Sequence, residues 1–152
     1  MEQYIAYNLA LGITRISSKR KQEIGRTFAN ILGFHPGPLG SDGGIDGVIF
    51  SEDDRLVYFQ SKLSGSELNV DHAKLLYADL MYHRAVIGVM LAGKGYKKTF
   101  SKRLFGHPHI EEMKIHLLTL VDVLAKTDAF YAAIRDLPKL GSFENIDWKQ
   151  FR

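Results

Sequence analysis

The chain has no cysteine, one tryptophan and four prolines among 152 residues. Without cysteine there is no disulfide framework, no cysteine-based zinc site and no thiol nucleophile. What stays open to such a chain is oxygen ligation of a hard cation. No apolar run approaches the roughly 20 residues that a membrane helix needs. The basic residues near the N-terminus follow its apolar stretch, the reverse of a secretory signal. A cytoplasmic protein without a membrane partner is therefore expected. Repeats, low-complexity tracts and Pro/Ser-rich linkers are also missing, so one domain over 1–152 is expected, its core spanning about 18–136. The N-terminal segment and C-terminal tail are then left for oligomerisation. Apolar residues at 45% and charged residues at 24% exclude global disorder.

The net charge of +3 hides a segregation. Residues 1–22 hold Arg15, Lys19, Arg20 and Lys21 against one acid, Glu2. Residues 80–110 hold Arg84, Lys94, Lys97, Lys98, Lys102 and Arg103 and no acid. The remainder is net acidic. Such a division suits a basic surface facing a polyanion, although a solvated lysine-rich loop would read the same way. Aromatics Tyr96, Phe100 and Phe105 interleave the second cluster, placed either to stack on bases or to pack a short helix. The segment Gly93-Lys94-Gly95-Tyr96-Lys97-Lys98 lacks the spacing of a phosphate-binding loop, which excludes a nucleotide cofactor of that kind. Lys94, Lys97 and Lys98 can still contact phosphates, since counterion release needs only charge.

Ser17 or Ser18 can cap a helix to about Leu32 with Gly33 as its stop, and Ile24, Phe28, Ile31 and Leu32 form its apolar face. Residues 35–44 are turn chemistry throughout, with Asp42 a turn former before a glycine pair. Strands are predicted over Ile45–Phe50 and Leu56–Lys62, joined by a charged hairpin connection at 51–55. An amphipathic helix follows over Val70–Arg84, then a strand buried on both faces over Ala85–Ala92. The basic segment 94–103 reads as a loop and short helix, and His107-Pro108-His109 as a structured loop. A strand at Ile115–Leu120 and a helix over 121–136 complete the order, before a Pro138/Gly141 break. The apolar stretch Tyr4–Ile13 reads as a helix docking on a partner subunit. This order describes an α/β protein of three layers, a central mixed sheet flanked by helices.

Side chains alternate along a strand, so Leu56, Tyr58, Gln60 and Lys62 share one face while Val57, Phe59 and Ser61 share the other. A hairpin turning near Asp53–Asp54 sets Asp46 opposite Gln60–Lys62. Glu23, beside the apolar face of its helix, can look along the sheet toward the same place. Magnesium takes oxygen ligands and keeps several waters. Asp46, the Gln60 amide oxygen and the Ser61 carbonyl can supply such ligands, with Mn²⁺ a possible substitute. Lys62 could then orient or deprotonate a water or stabilise developing charge.

The run Gly43-Gly44-Ile45-Asp46-Gly47, followed by Phe59-Gln60-Ser61-Lys62, resembles the PD-(D/E)XK nuclease superfamily in its Mrr-like variant, where Gln replaces an acid. Gln22-Glu23-Ile24-Gly25 through Leu32-Gly33-Phe34 resembles the first helix of that family, and the likeness spans roughly residues 18–120. Ile45 stands where the family has proline. The resemblance implies a restriction-endonuclease-like fold with a four-stranded mixed sheet. It implies Asp46 as metal-binding aspartate, Gln60 as second ligand position, Lys62 as catalytic lysine and Glu23 as helix carboxylate. It further implies Mg²⁺-dependent cleavage of double-stranded DNA by a homodimer or higher homo-oligomer. With no room for a separate recognition domain, a site-specific restriction or homing endonuclease is expected, or a structure-specific junction resolvase. A non-catalytic DNA-binding descendant is the competing class, and an RNA-directed nuclease a third. The DNA contacts would come from Lys19, Arg20, Lys21, Lys94, Lys97, Lys98, Lys102 and Arg103.

Overall fold

A computed structural model describes residues 1–37 and 45–138. The turn segment with Asp42, the Gly43–Gly44 pair and the Gly141 break lie outside the described residues. Five strands are seen among those described: β1 (His35–Pro36), β2 (Gly47–Phe50), β3 (Leu56–Lys62), β4 (Ile87–Ala92) and β5 (Lys114–Thr119). They form one mixed sheet in chain order, with β1–β2–β3 antiparallel and β3–β4–β5 parallel. The fifth strand relative to the expected four is β1, whose two residues pair with Val48 and Gly47 at the start of what reads as pure turn in the sequence.

Helices α1 (Gln3–Thr14), α2 (Ser18–Ile31), α5 (Leu120–Ala125) and α6 (Asp128–Asp136) lie over one face of the sheet. Phe28, Phe34, Val57, Phe59, Leu91, Leu118 and Phe130 fill the core beneath them. The opposite face carries α3 (Val70–Tyr82) and α4 (Lys98–Leu104) over Val48, Tyr58, Leu76, Leu80, Met90 and Phe100. The alternation along β3 therefore divides as its period of two requires, Val57 and Phe59 to one layer and Leu56 and Tyr58 to the other. The result is an α/β fold of three layers.

Helix boundaries follow local chemistry. Ser17 caps α2 by accepting from the Arg20 N–H at 3.3 Å, and Gly33 ends it at φ 91°. The face of α2 is rotated relative to expectation: Phe28, Ala29 and Leu32 are buried, while Ile31 is 59% exposed. One continuous helix over 121–136 is not formed. Lys126 turns left-handed at φ 55° between α5 and α6. Asp122 holds that break, accepting from the Thr119 N–H at 2.8 Å and the Thr127 hydroxyl at 2.6 Å. Helix α1 docks on α5 of its own chain through Ala6 and Ala10, leaving Tyr4, Ile5 and Tyr7 exposed, so its buried contact is intramolecular. Tyr96 and Phe100 pack against each other with ring centroids 4.8 Å apart, and Phe100 is fully buried, so these two are core rather than base-stacking platforms. No described helix is long and apolar enough to cross a membrane.

Candidate active site

The β2–β3 register pairs Gly47 with Phe59, which places the preceding residue, Asp46, across from Gln60. Asp46 is no longer strand. Its N–H donates to the Phe59 carbonyl at 2.9 Å, and its own carbonyl accepts from Gly37 at 2.8 Å. The bend there turns the carboxylate onto the neighbouring strand, where Oδ2 accepts the Ser61 N–H at 2.8 Å and faces the Ser61 hydroxyl at 3.5 Å. A strand residue's N–H and C=O point to the same side, so the Ser61 carbonyl also opens toward Asp46, beyond the last β2 ladder pair. Oδ1 of Asp46 has no hydrogen-bond partner among the described residues. Gln60 and Ser61 are half-buried and Lys62 is exposed at the strand end.

These groups line a cleft of about 450 Å³ at the carboxyl end of β3. Its other wall is α2, which contributes Ser18, Lys21 and Gln22. Their spacing, continued by Gly25, is i, i+3, i+4, i+7, a single stripe of the helix. Gly25 explains the close approach: a Cβ there would overlap the Ser61 hydroxyl. Glu23 is not on this stripe and does not join the cleft. It lies on the next one, in a separate depression with Arg26, Thr27 and Asn30. Gln22, adjacent in sequence, takes the place expected of it. The signal was present in the stripe that runs through Gly25, the one glycine of the helix, which admits the Ser61 side chain.

Burial lifts the Asp46 carboxyl from 3.8 to about 6, against the lowering effects of the Ser61 N–H, the Ser61 hydroxyl and the Lys62 charge. A partly buried carboxylate with one oxygen unpartnered among the described residues can gain from a cation. Among the described residues there is no cluster of three His, Asp or Glu side chains of metal-binding geometry. The donor set is thus one carboxylate, one amide oxygen and one backbone carbonyl. That fits Mg²⁺ or Mn²⁺, which fill remaining positions with water, better than it fits Zn²⁺.

No family model, no curated protein and no solved structure matches the chain.

Of the basic residues, Lys21 and Lys62 line the cleft, while Lys102 and Arg103 line a separate depression between α3 and α4. Gly93, which follows β4, donates to the Lys62 carbonyl at 3.1 Å, so Lys94 leaves the sheet beside the cleft. Lys97 is the N-cap of α4 and Lys98 its first residue. Lys19, Arg20 and Lys21 occupy the first turn of α2, which has no acid. Cations at helix starts oppose the macrodipole, an arrangement that an approaching anion relieves. None of Lys19, Arg20, Lys21, Lys94, Lys97, Lys98, Lys102 or Arg103 makes an ion pair among the described residues.

Proposed function

We propose that the protein is a Mg²⁺-dependent DNA endonuclease of restriction-endonuclease-like fold, cutting phosphodiester bonds at the carboxyl end of β3. The observation that carries the proposal is the Asp46 carboxylate held on the Ser61 N–H at 2.8 Å, in one cleft with Gln60 and Lys62. Asp46 Oδ1, the Gln60 amide oxygen and the Ser61 carbonyl would hold the cation. When bound, it lowers the pKa of a water and neutralises charge on the phosphate. Ser61 fixes the carboxylate's orientation through its N–H. Lys62, beyond the last buried residue of β3, orients the attacking water and offers a cation to the pentavalent phosphate. Lys21 and the first turn of α2 receive the non-bridging oxygens or the adjacent phosphate.

The described residues form one such cleft, so breaking both strands takes two copies, as a homodimer or higher homo-oligomer. A non-catalytic DNA-binding protein is the second reading, favoured by the single carboxylate of the donor set.

The test is a cleavage panel of supercoiled plasmid, linear duplex and branched DNA, with Mg²⁺ and with Mn²⁺. Wild type should nick at least one substrate. Asp46→Asn and Lys62→Ala should each lower the rate by roughly 10²-fold or more while retaining DNA affinity. Binding without cleavage by the wild type across the panel would establish the non-catalytic reading instead.

A further inference from the structure

Outside the cleft, the most built feature among the described residues is a depression of about 410 Å³ between α3 and α4, lined by Val70, Thr99, Lys102, Arg103, Gly106 and His107. Its centre is a preorganised arginine. His107 lies flat on Tyr77, with ring centroids 3.8 Å apart and planes 6° from parallel. Tyr77 is tied in turn by its hydroxyl, which donates to the Pro108 carbonyl at 3.1 Å. The His107 Nε2 accepts from Arg103 Nε at 3.4 Å. Burial and the Arg103 charge hold His107 below the usual histidine range, so near neutral pH it is an uncharged acceptor. The guanidinium is thereby steadied through Nε, and its two terminal nitrogens keep the fork geometry that matches a phosphate. Lys102 supplies a second cation and Thr99 a hydroxyl. No carboxylate lines the depression, and neither cation has an ion-pair partner among the described residues.

Its position in the fold relates it to the cleft. Val70 opens α3, and two residues on His72 feels the Lys62 charge while closing the Asn69 capping box. The first turn of α3 thus separates the depression from Lys62. We propose that this depression is a second backbone-phosphate subsite, in which Arg103, Lys102 and Thr99 hold a phosphate of the DNA strand away from the scissile bond. Resting on the nucleic-acid reading above, it assigns His107 as the positioning residue for Arg103. A strand held at two points has a fixed register across Asp46, which phosphate contacts supply without reading sequence.

The experiment measures DNA affinity by fluorescence anisotropy over a NaCl series, with Asp46→Asn as parent so that no substrate is cut. Combining Lys102→Gln with Arg103→Gln should weaken binding about tenfold or more and lower the slope of log K against log salt by about 1, for the one phosphate no longer held. Lys126→Gln, on the α5–α6 turn of the opposite face, should leave the slope unchanged. His107→Ala should reproduce part of the Arg103→Gln loss and add nothing in that background, which identifies action through Arg103. An unchanged slope and affinity in the Lys102/Arg103 variant would overturn the subsite while the nucleic-acid reading stands. Failure of both parent and wild type to bind DNA in a salt-dependent way would overturn the two together.

Discussion

The Asp46 carboxylate is partly buried where α2 meets the strand ends, and among the described residues Ser61 and the Lys62 charge compensate it. With a folded value of about 6 against an ordinary 3.8, its ionised form is disfavoured by the fold. The sign follows: the contribution to stability is fully present below about pH 4 and is lost as pH rises through about 6. Asp46→Asn should therefore stabilise the metal-free protein at pH 8 by about 1–2 kcal/mol, seen as a melting temperature a few degrees higher by calorimetry. Near pH 4 that gain should vanish. Millimolar Mg²⁺ should recover stability for wild type at pH 8 and leave the variant unaffected. Cation affinity runs the other way, since the ligand must be ionised. In metal titrations it should fall about tenfold per pH unit below about 6, and cleavage with it.

At the scale of elements, two glycines set how closely the pieces around the cleft meet. Gly25 admits the Ser61 side chain against α2. Gly93 is the more demanding, because a Cβ there would lie 2.5 Å from the Ser64 carbonyl oxygen and 2.8 Å from the Leu63 carbonyl carbon. Backbone cannot rotate aside as a hydroxyl can. Gly93→Ala should cost about 2–4 kcal/mol in urea unfolding, and shift the Lys62–Ser64 segment enough to lower cleavage further than stability explains. The α5–α6 break is a second such device. Asp122→Ala removes the acceptor for the Thr119 N–H and the Thr127 hydroxyl and should cost about 1–2 kcal/mol, measured by thermal melting.

For the whole molecule, the parallel run β3–β4–β5 sends Lys62 and the 93–98 loop to one end of the sheet, and the start of α2 lies against Lys62 across the cleft. Lys21 and Lys62, distant in sequence, thereby line one cleft, and Lys94 leaves the sheet beside it. Double-strand cleavage should rise steeply with protein concentration while single-strand nicking rises linearly, if one copy serves one strand. A plasmid assay that resolves nicked from linear product across a dilution series checks this. The exposed side chains of α1, Tyr4 at 78% and Tyr7 at 55%, belong to the same scale, because the helix satisfies α5 with alanines and keeps its aromatics outward.

Much of the fold was legible because it rests on local periodicity. The alternation of β3, the unbroken apolar β4 and the Ser17 and Gly33 boundaries of α2 each follow from a few adjacent residues. The pairing of Asp46 with the end of β3 was legible too, since a short hairpin leaves little freedom of register. Rotation of α2 about its own axis was not. Sequence shows which residues of a helix are apolar, but the packing of Gly25 on Ser61 and of Phe28 in the core decides whether Gln22 or Glu23 faces the cleft. The split of the last helix depended on Asp122 reaching Thr127, and the destination of α1 on small residues that fit its own neighbour. The amino-acid sequence by itself determined the layers, for those follow from residue type and spacing. Only the tertiary structure decided which side chains share the cleft, because that is set by close contacts between segments far apart along the chain.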